Sequence, residues 1–295
     1  RIAYQVLSGT FRPEHILALT FTRKAAQEMG VRLKELGVSV EAKTFHATAS
    51  KLLTETTHSP INVLFSKLPL LSDIRQSLPQ EFRNQNLTDI ATAIEMAKMR
   101  MIPPDHYEHC VRADECPLPV EMMGWVYQEY EKRKDEARSV DHEDQLWKTI
   151  LAFEKDPEWL ADVKQRYLAF TVDEFQDTSH SRKNLIRALQ KRNDKLKLFC
   201  VGDDWQSIYR FTGSDIDIMP NFEKHFETRD GYEKIKLDET YRFSDELAKL
   251  TSKFINQNEL LLKKEVFSSK IKKQYPLSFF CGDDDENTCR SILNE

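Results

Sequence analysis

The sequence is short of several features that mark common protein classes. Its five cysteines, Cys110, Cys116, Cys200, Cys281 and Cys289, are odd in number, scattered, and form no C-x-x-C pair. No paired spacing supports a disulfide framework, so the expectation is reduced thiols in a cytoplasmic protein. No apolar run reaches the roughly 18 residues of a membrane helix, and no signal peptide is recognisable. The expected partners therefore include no membrane. An excess of basic residues is also missing: Lys and Arg number 43 against 48 Asp and Glu, a net charge of -5. Any contact with nucleic acid must be local, or shared with other segments. The chain opens without Met, on the helical pattern "RIAYQVLSGT", and closes on "ENTCRSILNE", which reads as the first turns of another helix. Both ends are expected to be cuts in a longer protein.

What is present suffices for two compact domains: 295 residues, 40% hydrophobic and 31% charged. Apolar stretches of strand length alternate with amphipathic ones. "HILALTF" precedes "TRKAAQEMGVRLKEL", in which Ala25, Ala26, Met29, Leu33 and Leu36 share a helical face. "VEAKTFHATASKLL" reads as a strand running into a helix, and "RYLAFTVDEF" and "KLKLFCVGDD" flank the helical "SRKNLIRALQKR". The alternation predicts an α/β fold with a mainly parallel sheet covered on both faces. Chemistry in such sheets sits beyond the carboxyl ends of the strands.

Residues 56–138 break the alternation and read as a helical insertion. Ile90, Ile94, Ala97 and Met101 recur at helical spacing, as do Val120, Met123, Val126, Tyr127 and Tyr130, and Pro103, Pro104, Pro117 and Pro119 punctuate the region. The expected organisation is a first α/β domain over 1–55 and 139–230, the insertion over 56–138, and the start of a second α/β domain over 231–295. In that last part "YEKIKLDETYR" and "YPLSFFCG" read as strands, and "SDELAKLTSKFINQN" as a helix with Ser244 at its N-cap.

One strand raises a specific question. "LAFTVDEFQDTSHSRKNL" ends an apolar run in Asp173, Glu174, Gln176 and Asp177. Carboxylates crowded at a buried strand end repel one another unless a divalent cation neutralises them. Asp-Glu after an apolar strand suits a nucleotide-hydrolysing site, in which the Asp holds Mg²⁺ and the Glu polarises the attacking water. A solvated loop is the competing reading. The next strand again ends in acids, "LFCVGDDWQSIYRFTG", with Gln206 placed for a γ-phosphate and Tyr209 and Phe211 beside Arg210.

In combination these stretches resemble the UvrD/Rep-type superfamily-one DNA helicases. "LALTFTRKAAQEM", "AKTFHATASKLL", "VDHEDQL", "VDEFQD", "VGDDWQSIYRFTG" and "LDETYRFS" follow the family's motif order. With "FINQNELLLKK" they are most similar to the DNA helicase IV branch. The resemblance implies RecA-like motor domains that couple ATP and Mg²⁺ to 3′–5′ movement on single-stranded DNA and at duplex junctions, with a role in DNA repair. Position by position, it implies that Asp173 binds Mg²⁺, Glu174 activates water, Gln206 senses the γ-phosphate and Arg242 acts as an arginine finger. It implies that Tyr241 stacks on adenine, and that Gln176 and Asp177 support the metal site from behind. It further implies that Phe21, Thr22, Thr44, Phe45, His46, Tyr209 and Phe211 line the DNA path. Aromatic faces hold unpaired bases without sequence preference, as a motor requires. Ordinary packing is the competing reading for Phe45, Tyr209 and Phe211, and a core or capping role for His46.

The sequence departs from the family pattern in three places. Phe211-Thr212-Gly213-Ser214 stands where Trp-Arg-Gly-Ala is common, and Arg23-Lys24 where Asn-Lys is common. No G-x-x-x-x-G-K-[ST] occurs, so the phosphate-cradling loop is not among these residues, and the isolated chain is expected to be inactive. A non-catalytic single-strand-binding module is the alternative function; intact "DEFQD" and "TYRF" motifs argue against it. A metal-dependent nuclease would want a Lys shortly after a strand acid, and "DEFQDTSHSRK" offers none in that arrangement.

Overall fold

The computed structural model describes residues 1–57, 61–191, 193, 195–210, 213–228, 231–259 and 261–269. It divides into two units, Arg1–Tyr232 and Glu233–Glu295.

The first unit runs α1 (Ile2–Leu7), β1 (Ile16–Thr20), α2 (Arg23–Glu35), β2 (Ala42–Thr44), α3 (Phe45–Thr57), α4 (Leu68–Arg75), α5 (Leu87–Met99), α6 (Tyr107–Cys110), α7 (Val120–Glu136), α8 (His142–Lys155), α9 (Pro157–Arg166), β3 (Ala169–Val172), α10 (His180–Gln190), β4 (Lys197–Cys200) and α11 (Phe222–His225). The four strands form one wholly parallel sheet in the order β2-β1-β3-β4. Residues of β1 and β3 are buried throughout, as continuous apolar strands covered on both faces should be. Leu17, Leu19, Phe170 and Val172 face the larger core with α3, α8 and α10, while Ile16, Ala18 and Ala169 face a smaller one with Leu33 of α2. This is the expected α/β sheet flanked by helices.

Helices α4 to α7 carry a separate core built on Leu71, Ile74, Ile90, Ile94, Tyr107, Met123, Val126, Tyr127 and Tyr130. Met101 departs from expectation. Helix α5 ends first, because Met101 takes φ 61° and Ile102 N–H returns to the Ala97 carbonyl at 2.9 Å, a Schellman-type stop ahead of Pro103. Met101 packs instead against the larger core.

A buried ionic cluster ties these helices to α8. Lys98 of α5 is 1% exposed. Its Nζ bonds Asp141, Asp144 at 2.8 Å and Glu131 at 2.6 Å. Lys134 of α7 meets Glu131 at 2.6 Å and Asp144 at 2.5 Å. Asp141 and Asp144 also form the capping box of α8. The two ammonium groups hold the Asp141 carboxyl below the usual range, and the three carboxylates raise the Lys98 ammonium against the opposing effect of its burial. Lys98→Met leaves carboxylates buried without one of their counter-charges. The expected loss is about 3–5 kcal/mol, measured by the urea midpoint. A loss below about 1 kcal/mol, the worth of an exposed pair, would show that the cluster is not a structural tie.

In the second unit α12 (Asp245–Ile255) forms as expected after Ser244, although the serine side chain makes no capping bond. The strand expected over Tyr232–Arg242 reduces to a single bridge between Glu239 and Phe267. Its alternating charges find no sheet among the described residues. "YPLSFFCG" lies outside them, as do Cys281 and Cys289. Cys110, Cys116 and Cys200 are free thiols. Among the described residues no helix is long and apolar enough to cross a membrane.

Candidate nucleotide and nucleic-acid site

All four strands deliver their candidate residues at their carboxyl ends. β3 stops sharply. Asp173 N–H still pairs with the Leu19 carbonyl at 2.9 Å, but Glu174 turns into the left-handed region at φ 52°, ψ 43°. A non-glycine residue there costs on the order of 1–3 kcal/mol and persists where its surroundings impose it. Here the Asp173 carboxylate accepts Glu174 N–H at 3.1 Å, and Phe175 N–H bonds the Val201 carbonyl at 2.9 Å. The turn leaves Asp173 half-buried and Glu174 exposed, while Gln176 and Asp177 are buried.

Gln176 joins the two acidic loops. Its Nε2 donates to Glu174 Oε2 at 2.8 Å, and its Oε1 accepts Asp203 N–H at 3.0 Å. Asp203 Oδ2 in turn accepts Gln206 Nε2 at 2.7 Å. A continuous hydrogen-bond chain therefore runs Glu174–Gln176–Asp203–Gln206. The loops approach this closely because residue 202 is Gly: a Cβ there would lie 2.6 Å from Gln176 Oε1 and 2.9 Å from Phe175 N.

The electrostatics of the acid loop suit a cation. Burial, and secondarily the Glu174 charge, raise the Asp173 carboxyl above its ordinary value. Burial and the same neighbour push Asp177 up to about 6, and Asp177 Oδ1 is buried without a hydrogen-bond partner. A divalent ion would relieve this repulsion. Mg²⁺ characteristically takes only one or two carboxylates, filling its other positions with water and phosphate oxygens. One half-exposed Asp therefore fits it. Among the described residues the three carboxylates that converge within 4.8 Å are Glu131, Asp141 and Asp144, and Lys98 and Lys134 already neutralise them.

The ring residues gather beside this loop. Phe21, just past β1, stacks on Tyr209 with centroids 5.6 Å apart and planes at 28°. Tyr209 is 37% exposed. The Arg182 guanidinium of α10 sits 4.4 Å from the Phe21 centroid and donates from Nη1 to the Asp177 carbonyl at 2.9 Å. A desolvated cation over a ring is worth about 2 kcal/mol, and a charged hydrogen bond about 1.5–3 kcal/mol. Together these match the several kcal/mol that burying a cation costs.

Other candidates have more local duties. Thr22 Oγ1 caps α2 by accepting Ala25 N–H at 3.1 Å, and Thr44 Oγ1 caps α3 by accepting Ala47 N–H at 3.2 Å. Phe45 is 3% exposed and packs in the larger core, so its ring serves packing. His46 stacks on His142 of α8 with centroids 3.6 Å apart. Burial, then the His142 and Arg182 charges, push His46 down to about 2. It therefore offers a ring face and a neutral polar edge, not a positive charge. Phe211 lies outside the described residues. Tyr241 and Arg242 are exposed in the second unit, where the Tyr241 hydroxyl donates to Glu239 at 2.7 Å.

Sequence reasoning missed Arg182 and His142. The available signal for Arg182 was a cation in a helix first turn that contains no acid.

A family model, UvrD/REP helicase N-terminal domain, matches residues 1–227. The chain is 30% identical over 277 residues to the ATP-dependent DNA helicase UvrD2 of Mycobacterium tuberculosis (strain ATCC 25618 / H37Rv), covering 86% of this chain and 38% of that protein. It is 29% identical to the ATP-dependent DNA helicase PcrA of Bacillus subtilis (strain 168), covering 97% and 39%. It is 28% identical to DNA helicase IV of Escherichia coli (strain K12), covering 91% and 44%. The chain thus spans less than half the length of these relatives.

Proposed function

The chain belongs to the UvrD/REP helicase family, and from that premise we propose that it forms part of an ATP-driven motor moving 3′ to 5′ on single-stranded DNA and opening duplex junctions. The observation that carries this reading is the hydrogen-bond chain from Glu174 to Gln206, set beside the Phe21–Tyr209 stack. A phosphate-responsive group and a base-stacking ring stand three residues apart on one loop.

In this reading residues 1–55 and 139–230 are the first motor domain, 56–138 an insertion, and 231–295 the start of the second. Asp173 holds Mg²⁺, which when bound offsets the charge developing on the transferred phosphoryl group. Glu174 orients the attacking water and accepts its proton, and Gln176 fixes the direction of that carboxylate. Gln206 now donates one amide hydrogen to Asp203; donating the other to a γ-phosphate oxygen would pull on that bond and on the loop that leads to Tyr209. Tyr241 stacks on adenine and Arg242 contacts the phosphates. Phe21 and Tyr209, with Phe211, hold unpaired bases at roughly 1–3 kcal/mol each. Release of streptavidin from a biotinylated oligonucleotide tests direction in the intact protein. Faster ATP-dependent release from the 5′ end is expected. DNA binding without any ATP turnover would favour the single-strand-binding alternative.

The 295 residues alone are expected to hold ATP weakly. The phosphates need a ring of backbone donors and a Lys that this sequence does not supply. The cleft beside Asp173, about 230 Å³ and lined by Arg1, Met29, Leu33, Leu36, Phe199 and Val201 among others, is smaller than the roughly 300 Å³ at which ligand pockets begin. Calorimetry checks this, and a micromolar dissociation constant for ATP with Mg²⁺ would contradict it.

A further inference from the structure

Arg182 stands where two physical effects oppose a cation. It is 7% exposed, and it lies in the first turn of α10, whose dipole favours negative charge. Burial lowers its pKa to about 10, which still leaves it charged near neutral pH. Two contacts hold it there, and they belong to different parts of the site. Nη1 donates to the Asp177 carbonyl at 2.9 Å, on the loop that carries Asp173 and Glu174. The guanidinium carbon lies over the Phe21 ring, 4.4 Å from its centroid, and Phe21 itself stacks on Tyr209. The Asp177 and Glu143 carboxylates offset part of the effect of burial, and the guanidinium charge adds to burial in lowering His46 and His142.

We propose that Arg182 is a positioning residue that couples the acidic loop to the base-contacting rings. The proposal deepens the helicase reading above and rests on it. The guanidinium is planar and rigid, so its hydrogen bond and its ring contact cannot be adjusted independently. In a site shielded from water neither contact is replaced when lost. A displacement of the Asp177 carbonyl when the loop meets a nucleotide therefore moves the guanidinium, and with it the ring against which Tyr209 stacks. Lysine would keep the charge but lose the planar face and the fixed fork.

The test uses Arg182→Met and Arg182→Lys in the intact protein. For Arg182→Met, the ratio of DNA-stimulated to basal ATP turnover is expected to fall by about 5- to 150-fold, the usual span of coupling between two sites. Half-saturation by single-stranded DNA should shift to higher concentration, and basal turnover should fall by less than the stimulated rate. Arg182→Lys should restore the melting temperature but not the ratio, which a purely structural role would restore with it. Hydrogen exchange without DNA or nucleotide provides a second arm. Arg182→Met should raise exchange at residues 20–23 and at 175–179 together. An unchanged ratio in Arg182→Met, parallel loss of basal and stimulated turnover, or exchange confined to 175–179 would overturn the proposal. A wild-type protein that DNA does not stimulate would instead sink the helicase reading, and the exchange arm alone would then decide whether Arg182 links the two segments.

Discussion

Arg242→Ala is expected to lower ATP turnover by about 10³- to 10⁵-fold, the range over which an arginine finger stabilises the charge of phosphoryl transfer. The effect should be catalytic, not structural. Arg242 is exposed and follows a loop, not a packed element, so its truncation should change folding stability by no more than about 0.5 kcal/mol. Single-turnover hydrolysis and a denaturant midpoint, measured on the same preparation, separate the two. A variant with near-wild-type turnover would remove Arg242 from the reacting phosphates. One that unfolds would show that the exposed side chain supports the second unit.

Glu174→Gln is expected to reduce turnover by about 10²- to 10⁴-fold, the usual contribution of a positioned general base, while ATP affinity changes little. The substitution keeps the shape of the side chain at a backbone position held at φ 52°. It also leaves an oxygen to accept the Gln176 Nε2 proton, now bonded at 2.8 Å. What it removes is the ability to accept a proton from water. Equilibrium binding of a fluorescent ATP analogue, alongside steady-state turnover, checks both halves. Wild-type turnover would show that the base lies elsewhere.

The parallel sheet was legible because β1, β3 and β4 are short apolar runs that end abruptly in polar residues, and period alone places the helices between them. Candidate positions were legible where they depend on chain order: Phe21, Thr44, Asp173 and Gln206 fall at or beyond the ends of β1, β2, β3 and β4. It was not legible where contacts are distant in sequence. Lys98 and Asp141 are 43 residues apart, and nothing local to either announces a buried pair. "VDHEDQL" resembles the acidic segment that leads into the second nucleotide motif, and the structure gives its Asp141 and Asp144 to a helix cap and two lysines. Nothing local marks Arg182, because Phe21 beyond β1 and helix α8, which pack near it, lie elsewhere in the chain. The strand expected over Tyr232–Arg242 is a single bridge, because among the described residues no strand lies beside it to pair with.

The most direct measurement is steady-state ATP hydrolysis by the intact protein, with and without a single-stranded oligonucleotide, across a salt series. Turnover is expected to rise on adding single-stranded DNA, the stimulation to weaken as salt displaces the phosphate contacts, and both basal and stimulated rates to be lost in Glu174→Gln. Turnover indifferent to DNA, or equal in Glu174→Gln and wild type, would contradict the helicase reading.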